Sequence, residues 1–109
     1  MNHDSYDAML DAVRAFHDKH GFNASGGEEL TYRMTLMTEE LGEIAACVSK
    51  GKSKEALAEE CADLLILLIG TAVSADFDLR QAFWDKIRHL ETCSAKVING
   101  HIRVLTSGE

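Results

Sequence analysis

Apolar residues recur along most of this chain at steps of three and four, the spacing that places side chains on one side of an α-helix. Met9, Leu10, Val13 and Phe16 mark a first helix from about Ser5 to His20, with Ser5 as N-cap and Gly21 as stop. Leu30, Met34, Met37, Leu41, Ile44 and Val48 form the apolar stripe of a second, from Gly27 to Lys50, entered through a capping box of Ser25 and Glu28. Gly51 closes it, and Ser53 caps a third helix that runs to about Ala75. Leu79, Phe83, Ile87, Leu90 and Val97 predict a fourth, from Leu79 to Val97 or Ile98, capped by Asp78 with Gln81 and broken by Asn99-Gly100. Residues 21–27 lack the spacing of a phosphate-binding glycine loop and read as a flexible connector or a mobile flap. Residues 101–109 read as a tail with an extended Ile102-Arg103-Val104 piece. The pattern predicts one all-α domain.

The third helix departs from the simple stripe. Leu64 to Ile69 are six consecutive aliphatic residues, which at ~100° per residue cover the whole circumference and require protein all round. Gly70 then costs a helix about 1 kcal/mol relative to Ala, which points to close approach of a neighbouring helix there. Immediately before the run stand Glu60 and Asp63, one turn apart and carried against the core. Glu40 and Glu43 repeat that spacing on a face of the second helix shared with Leu36 and Cys47, roughly 120° from the main stripe. The connector between the two helices is short, so they run antiparallel. Each acidic pair lies about two turns from it, and the two pairs meet at one level. Ionised carboxylates gathered near a core cost several kcal/mol or take up protons unless a cation joins them. A divalent ion is the simplest one, and oxygen-only ligands favour Mg²⁺, with Mn²⁺ as substitute.

Charge and composition narrow the partners. A formal charge of −7 argues against nucleic acid and anionic membrane surfaces, both of which need a basic face. The absence of proline among 109 residues suits long helices. Cys47, Cys61 and Cys93 lack disulfide or zinc spacing and read as reduced core residues. No signal-peptide architecture is present and the apolar run from Cys61 to Val73 is too short to span a bilayer, so a cytoplasmic location is expected. His17 and His20 suit a helix C-terminus. Trp84 falls off the fourth helix's stripe and reads as a subunit contact or a base-stacking surface, while Lys86 either lays its stem along apolar surface or reaches a phosphate.

Glu39-Glu40-Leu41-Gly42-Glu43, followed by Glu60-Cys61-Ala62-Asp63 and the aliphatic run, resembles the E-E-x-x-E and E-x-x-D signature of the MazG-like branch of the all-α nucleoside triphosphate pyrophosphohydrolases, clearly from about Tyr32 to Thr71. The resemblance implies a four-to-five-helix bundle assembling as a homodimer or dimer of dimers. It implies Mg²⁺-dependent cleavage of the α–β phosphoanhydride of a ribo- or deoxyribonucleoside triphosphate, giving a monophosphate and pyrophosphate. Glu40, Glu43, Glu60 and Asp63 would hold the metal. Glu39 would act as general base or else face solvent, and Lys86, Lys96, Asn99 and Arg103 are the residues available to the substrate's phosphates. Two further readings stand beside it. One is the phosphoribosyl-ATP pyrophosphohydrolase of histidine synthesis, which shares the acidic motifs; the other is a non-catalytic helical module whose acids pair with a basic partner.

Overall fold

A computed structural model describes residues 4–106. They form four helices, α1 (Tyr6–Lys19), α2 (Leu30–Ser49), α3 (Lys54–Ala75) and α4 (Leu79–Thr92), followed by strands β1 (Ser94–Ile98) and β2 (His101–Leu105). The chain divides into two compact units between Phe77 and Asp78. No helix among the described residues is long and apolar enough to cross a membrane.

Helix ends are set by local hydrogen bonds. Ser5 and Ser53 accept from the N–H groups of Ala8 and Ala56, each at 3.1 Å, and Asp78 accepts from Gln81 N–H at 2.9 Å. Gly21 and Gly51 follow α1 and α2 at positive φ, where a side chain would be strained. The start of α2 differs from expectation. Glu29, not Ser25, is its N-cap, and its two carboxylate oxygens accept from Thr31 and Tyr32 N–H. Glu28 is drawn away from a capping role because its carboxylate accepts from Ser74 Oγ at 3.3 Å and lies 3.8 Å from His17 Nδ1. The loop before α2 is a run of hydrogen-bonded turns, with Phe22 N–H on His17 O and Gly27 N–H on Phe22 O.

In the first unit, α3 packs against α2 on one side and α1 on another. The knot that ties them is Arg33, 1% exposed. Its Nε donates to Thr71 Oγ1 (3.0 Å), Nη1 to Gly27 O (3.1 Å) and Nη2 to Leu67 O (2.8 Å). His17, 4% exposed, lies beside it and stacks on Phe22 with centroids 4.4 Å apart. Gly70 permits this arrangement: a Cβ there would collide with Arg33 Nη2 and His17 Nε2. The close neighbour that the glycine foretells is therefore a pair of polar side chains and not a helix backbone.

Three core expectations are overturned. Four of the six stripe residues assigned to the core of α2 face outward, Leu30, Leu41, Met34 and Val48, the last two 64% and 67% exposed, while Met37 and Ile44 are half-buried. The less exposed face of α2 carries Arg33, Leu36, Glu40 and Cys47 beside Met37 and Ile44, and from it Arg33 donates to Thr71 and Leu67 of α3. The aliphatic run of α3 is not surrounded: Ile69 is buried, but Leu65, Ile66 and Leu68 stay more than two-fifths exposed. Two neighbouring helices cannot enclose a whole circumference. Cys47 is buried, Cys93 half-buried and Cys61 exposed on the open side of α3, so the three cysteines do not share a core role.

In the second unit α4 stops at Thr92, well short of Val97. Residues 94–98 pair antiparallel with 101–105, in register from Ser94 opposite Leu105 to Ile98 opposite His101. Asn99 and Gly100 both take positive φ, as a two-residue type I′ hairpin turn demands. Trp84 is half exposed and meets Phe83 edge-on at 5.2 Å.

Helix propensity alone predicts that Gly70→Ala stabilises the protein by up to about 1 kcal/mol. The packing predicts the opposite sign: displacing two buried polar side chains should cost about 1–3 kcal/mol. Urea unfolding of the variant decides between them, and a lowered midpoint is expected.

Candidate metal centre

The antiparallel pairing of α2 and α3 brings Glu40, Glu60 and Asp63 together, with one carboxylate oxygen from each lying within 4.8 Å of the others. Glu40 and Glu60 are half-buried. Asp63 is exposed, contrary to the expectation that the aliphatic run carries it into the core, because that side of α3 is open. Glu43, a turn beyond Glu40, is exposed and stands outside the three, although its charge is felt by Glu40. Glu39 is exposed on α2.

Burial and crowding act together on Glu40. Desolvation, then contact with Glu60, then the charges of Glu60, Asp63 and Glu43 push its carboxyl up to about 7 from an ordinary 4.5. Its Oε2 is buried with no hydrogen-bond partner. The contact with Glu60 becomes a hydrogen bond only when one of the two acids holds a proton, since two carboxylates have no donor between them. A divalent cation satisfies the same oxygen without a proton. The donors are all carboxylate oxygens, which suits a hard ion such as Mg²⁺ or Mn²⁺. The residues therefore fit such a group.

The other residues singled out in the sequence lie elsewhere. Lys86 is exposed on α4, and Lys96 and Arg103 are exposed and face each other across the hairpin. Asn99 serves the turn, its backbone carbonyl 3.0 Å from His101 Nδ1. Their part as phosphate contacts rests on the resemblance alone. Sequence reasoning passed over Arg33 and took His17 for a helix-end histidine. The signal for Arg33 was present: it precedes Glu40 by seven residues and Cys47 by fourteen, which puts it on their face.

With a folded-state pKa raised above its unfolded value, Glu40 favours the fold most at low pH, and that support is lost as pH rises from about 4.5 through about 7. In metal-free protein Glu40→Gln should therefore be more stable than the parent at pH 8, by on the order of 1 kcal/mol, with solvent screening at the half-open site taking the rest of the shift. The difference should vanish near pH 4, below the ordinary value of 4.5. Thermal melts of both proteins across that range, in the presence of a chelator, provide the check.

A family model described as phosphoribosyl-ATP pyrophosphohydrolase matches residues 6–89, which include the three acids, Arg33 and His17. No curated protein and no solved structure matches the chain. The match spans most of the sequence, and it agrees with the helical fold and the acidic cluster between α2 and α3. The chain belongs to the phosphoribosyl-ATP pyrophosphohydrolase family, within the all-α nucleoside triphosphate pyrophosphatase superfamily, whose chemistry is hydrolysis of a pyrophosphate bond.

Proposed function

We propose that this protein hydrolyses the α–β phosphoanhydride of a nucleoside 5′-triphosphate group, releasing pyrophosphate, with Glu40, Glu60 and Asp63 as the metal-holding residues and Glu43 completing the set. The observation that carries this reading is the buried, unpartnered Glu40 Oε2 among two other carboxylates. A bound divalent ion supplies charge neutralisation at the phosphates and a more acidic water. The protein's own part is to hold three acids at one depth on two packed helices and to keep Glu40 partly away from solvent. Glu39, on the same turn of α2, is our choice for the residue that takes the proton from the attacking water.

Two substrates have an observation in their favour. The family match favours phosphoribosyl-ATP. The stretch from Arg33 to Glu43, similar to the second helix of the MazG-like branch, favours simple ribo- or deoxyribonucleoside triphosphates. We also propose that a second copy covers the outward stripe of α2, since Leu30, Met34, Leu41 and Val48 form an exposed apolar row at helical spacing.

Pyrophosphate release with Mg²⁺, measured on phosphoribosyl-ATP and on a panel of triphosphates, should show activity on at least one. Glu60→Gln and Asp63→Asn should each lose more than the ~10–100-fold typical of disturbing a residue behind a metal ligand. Full activity in both would contradict the assignment. Sedimentation should show an oligomer that Met34→Glu combined with Leu41→Lys converts to monomer; a monomeric parent protein would remove the assembly proposal.

A further inference from the structure

The described part of the second unit, residues 78–106, contains no buried residue; Leu79, Ile87, Leu90, Cys93 and Leu105 are only half-buried. A lone two-stranded hairpin is marginal in water, and units this small are held by a disulfide, a metal or a partner. The hairpin also lies beyond residues 6–89, the stretch that the family model matches.

Where α4 ends, three donor atoms of different kinds converge. His89 and Cys93 are four residues apart, which puts both side chains on one side of the last turn, and Cys93 Sγ lies 3.7 Å from His89 Nε2. After the hairpin the chain returns to place the Thr106 carbonyl 3.4 Å from the same nitrogen. These are the separations of ligands around one ion. With Zn–S near about 2.3 Å and Zn–N or Zn–O near about 2.1 Å, tetrahedral angles set sulfur and nitrogen ~3.5 Å apart and nitrogen and oxygen ~3.4 Å apart.

As hydrogen bonds the same contacts are poor. The nitrogen–oxygen distance is long, and a neutral imidazole nitrogen cannot donate to Thr106 and accept from Cys93 at once. The thiol can turn instead to His89 O at 3.4 Å. Cys93 is also the C-cap of α4, at the negative end of the helix dipole. That field disfavours a bare thiolate and favours a cation, so Cys93 suits a metal ligand better than a free nucleophile. Thiolate and imidazole select Zn²⁺ or a similarly soft ion, the reverse of the all-carboxylate cluster between α2 and α3.

We propose that Cys93 Sγ, His89 Nε2 and the Thr106 carbonyl form a metal site apart from the acid cluster, taking Zn²⁺ with water in the remaining position, and that the ion ties the end of β2 to the end of α4. On binding, the thiol proton leaves to solvent and His89 keeps its proton on Nδ1. The site is independent of the pyrophosphohydrolase reading. Cysteine spacing alone does not reveal it, because the partner of Cys93 is a histidine one turn earlier.

The test is titration of the reduced full chain with Co²⁺ in excess Mg²⁺, which competes for carboxylates and not for a thiolate. A thiolate-to-cobalt charge-transfer band should appear, vanish in Cys93→Ser and persist in Cys61→Ser. His89→Gln, which leaves the cap residue in place, should weaken cobalt binding at least about tenfold. Zn²⁺ should displace the cobalt and, at about a hundred times its dissociation constant, slow amide exchange in residues 94–105 by up to ~100-fold, with no slowing in Cys93→Ser. No charge-transfer band in the parent protein overturns the inference. So does a band that survives Cys93→Ser or is lost with Cys61, which would put the ion beside the acid cluster. Unchanged hairpin exchange with the ion bound at Cys93 would overturn the tie between α4 and β2.

Discussion

Three carboxylates held within 4.8 Å of one another at a half-buried position repel unless something positive joins them, and the rest of the first unit is arranged around that conflict. Neither the His17–Glu28 contact nor the Arg88–Asp85 ion pair involves the cluster. Protonation of Glu40 relieves the repulsion, and a divalent ion would relieve it without a proton. A fold that only needed stability would gain by replacing one of these acids with an apolar residue of similar size. Their presence on facing turns of two helices is what an ion-binding site requires and what a packing interface does not.

Arg33 fixes the frame in which the acids meet. Its donors reach the loop ahead of α2 and two positions on α3, so the register of the hairpin is tied at one end by a buried charge and at the other by the short Gly51 connector. The cluster lies between those two ties. Gly70 is the cost of the arrangement in helix propensity, and His17 and Phe22 close it from the side of α1. The same closure leaves a hollow beside Asp63, so one set of contacts shapes both the acid cluster and the space next to it.

Local chemistry made much of this legible in advance. Ser5, Ser53, Asp78, Gly21 and Gly51 act where their side chains or their lack of one predict, because caps and stops depend on neighbours only a few residues away. The meeting of Glu40 with Glu60 and Asp63 followed from the short connector and helical rise. The hairpin was missed because Val97 continues the helical spacing of α4, and the Asn99-Gly100 signal was read as a helix break when it also specifies a type I′ turn. The outward stripe of α2 was misassigned for a different reason. Periodicity shows that a helix has an apolar face but not what covers it, and here Arg33 turns the other face towards α3.

The most direct test of the central claim is the proton count of metal binding. Ligation must displace the proton that Glu40 shares with its neighbours, so Mg²⁺ or Mn²⁺ titrated calorimetrically at pH 7, in buffers of different ionisation enthalpy, should release about half a proton per ion. Glu40→Gln should bind more weakly and release none. Binding with no proton release in the parent protein, or a release that survives the substitution, would mean that the ion does not sit among these three acids.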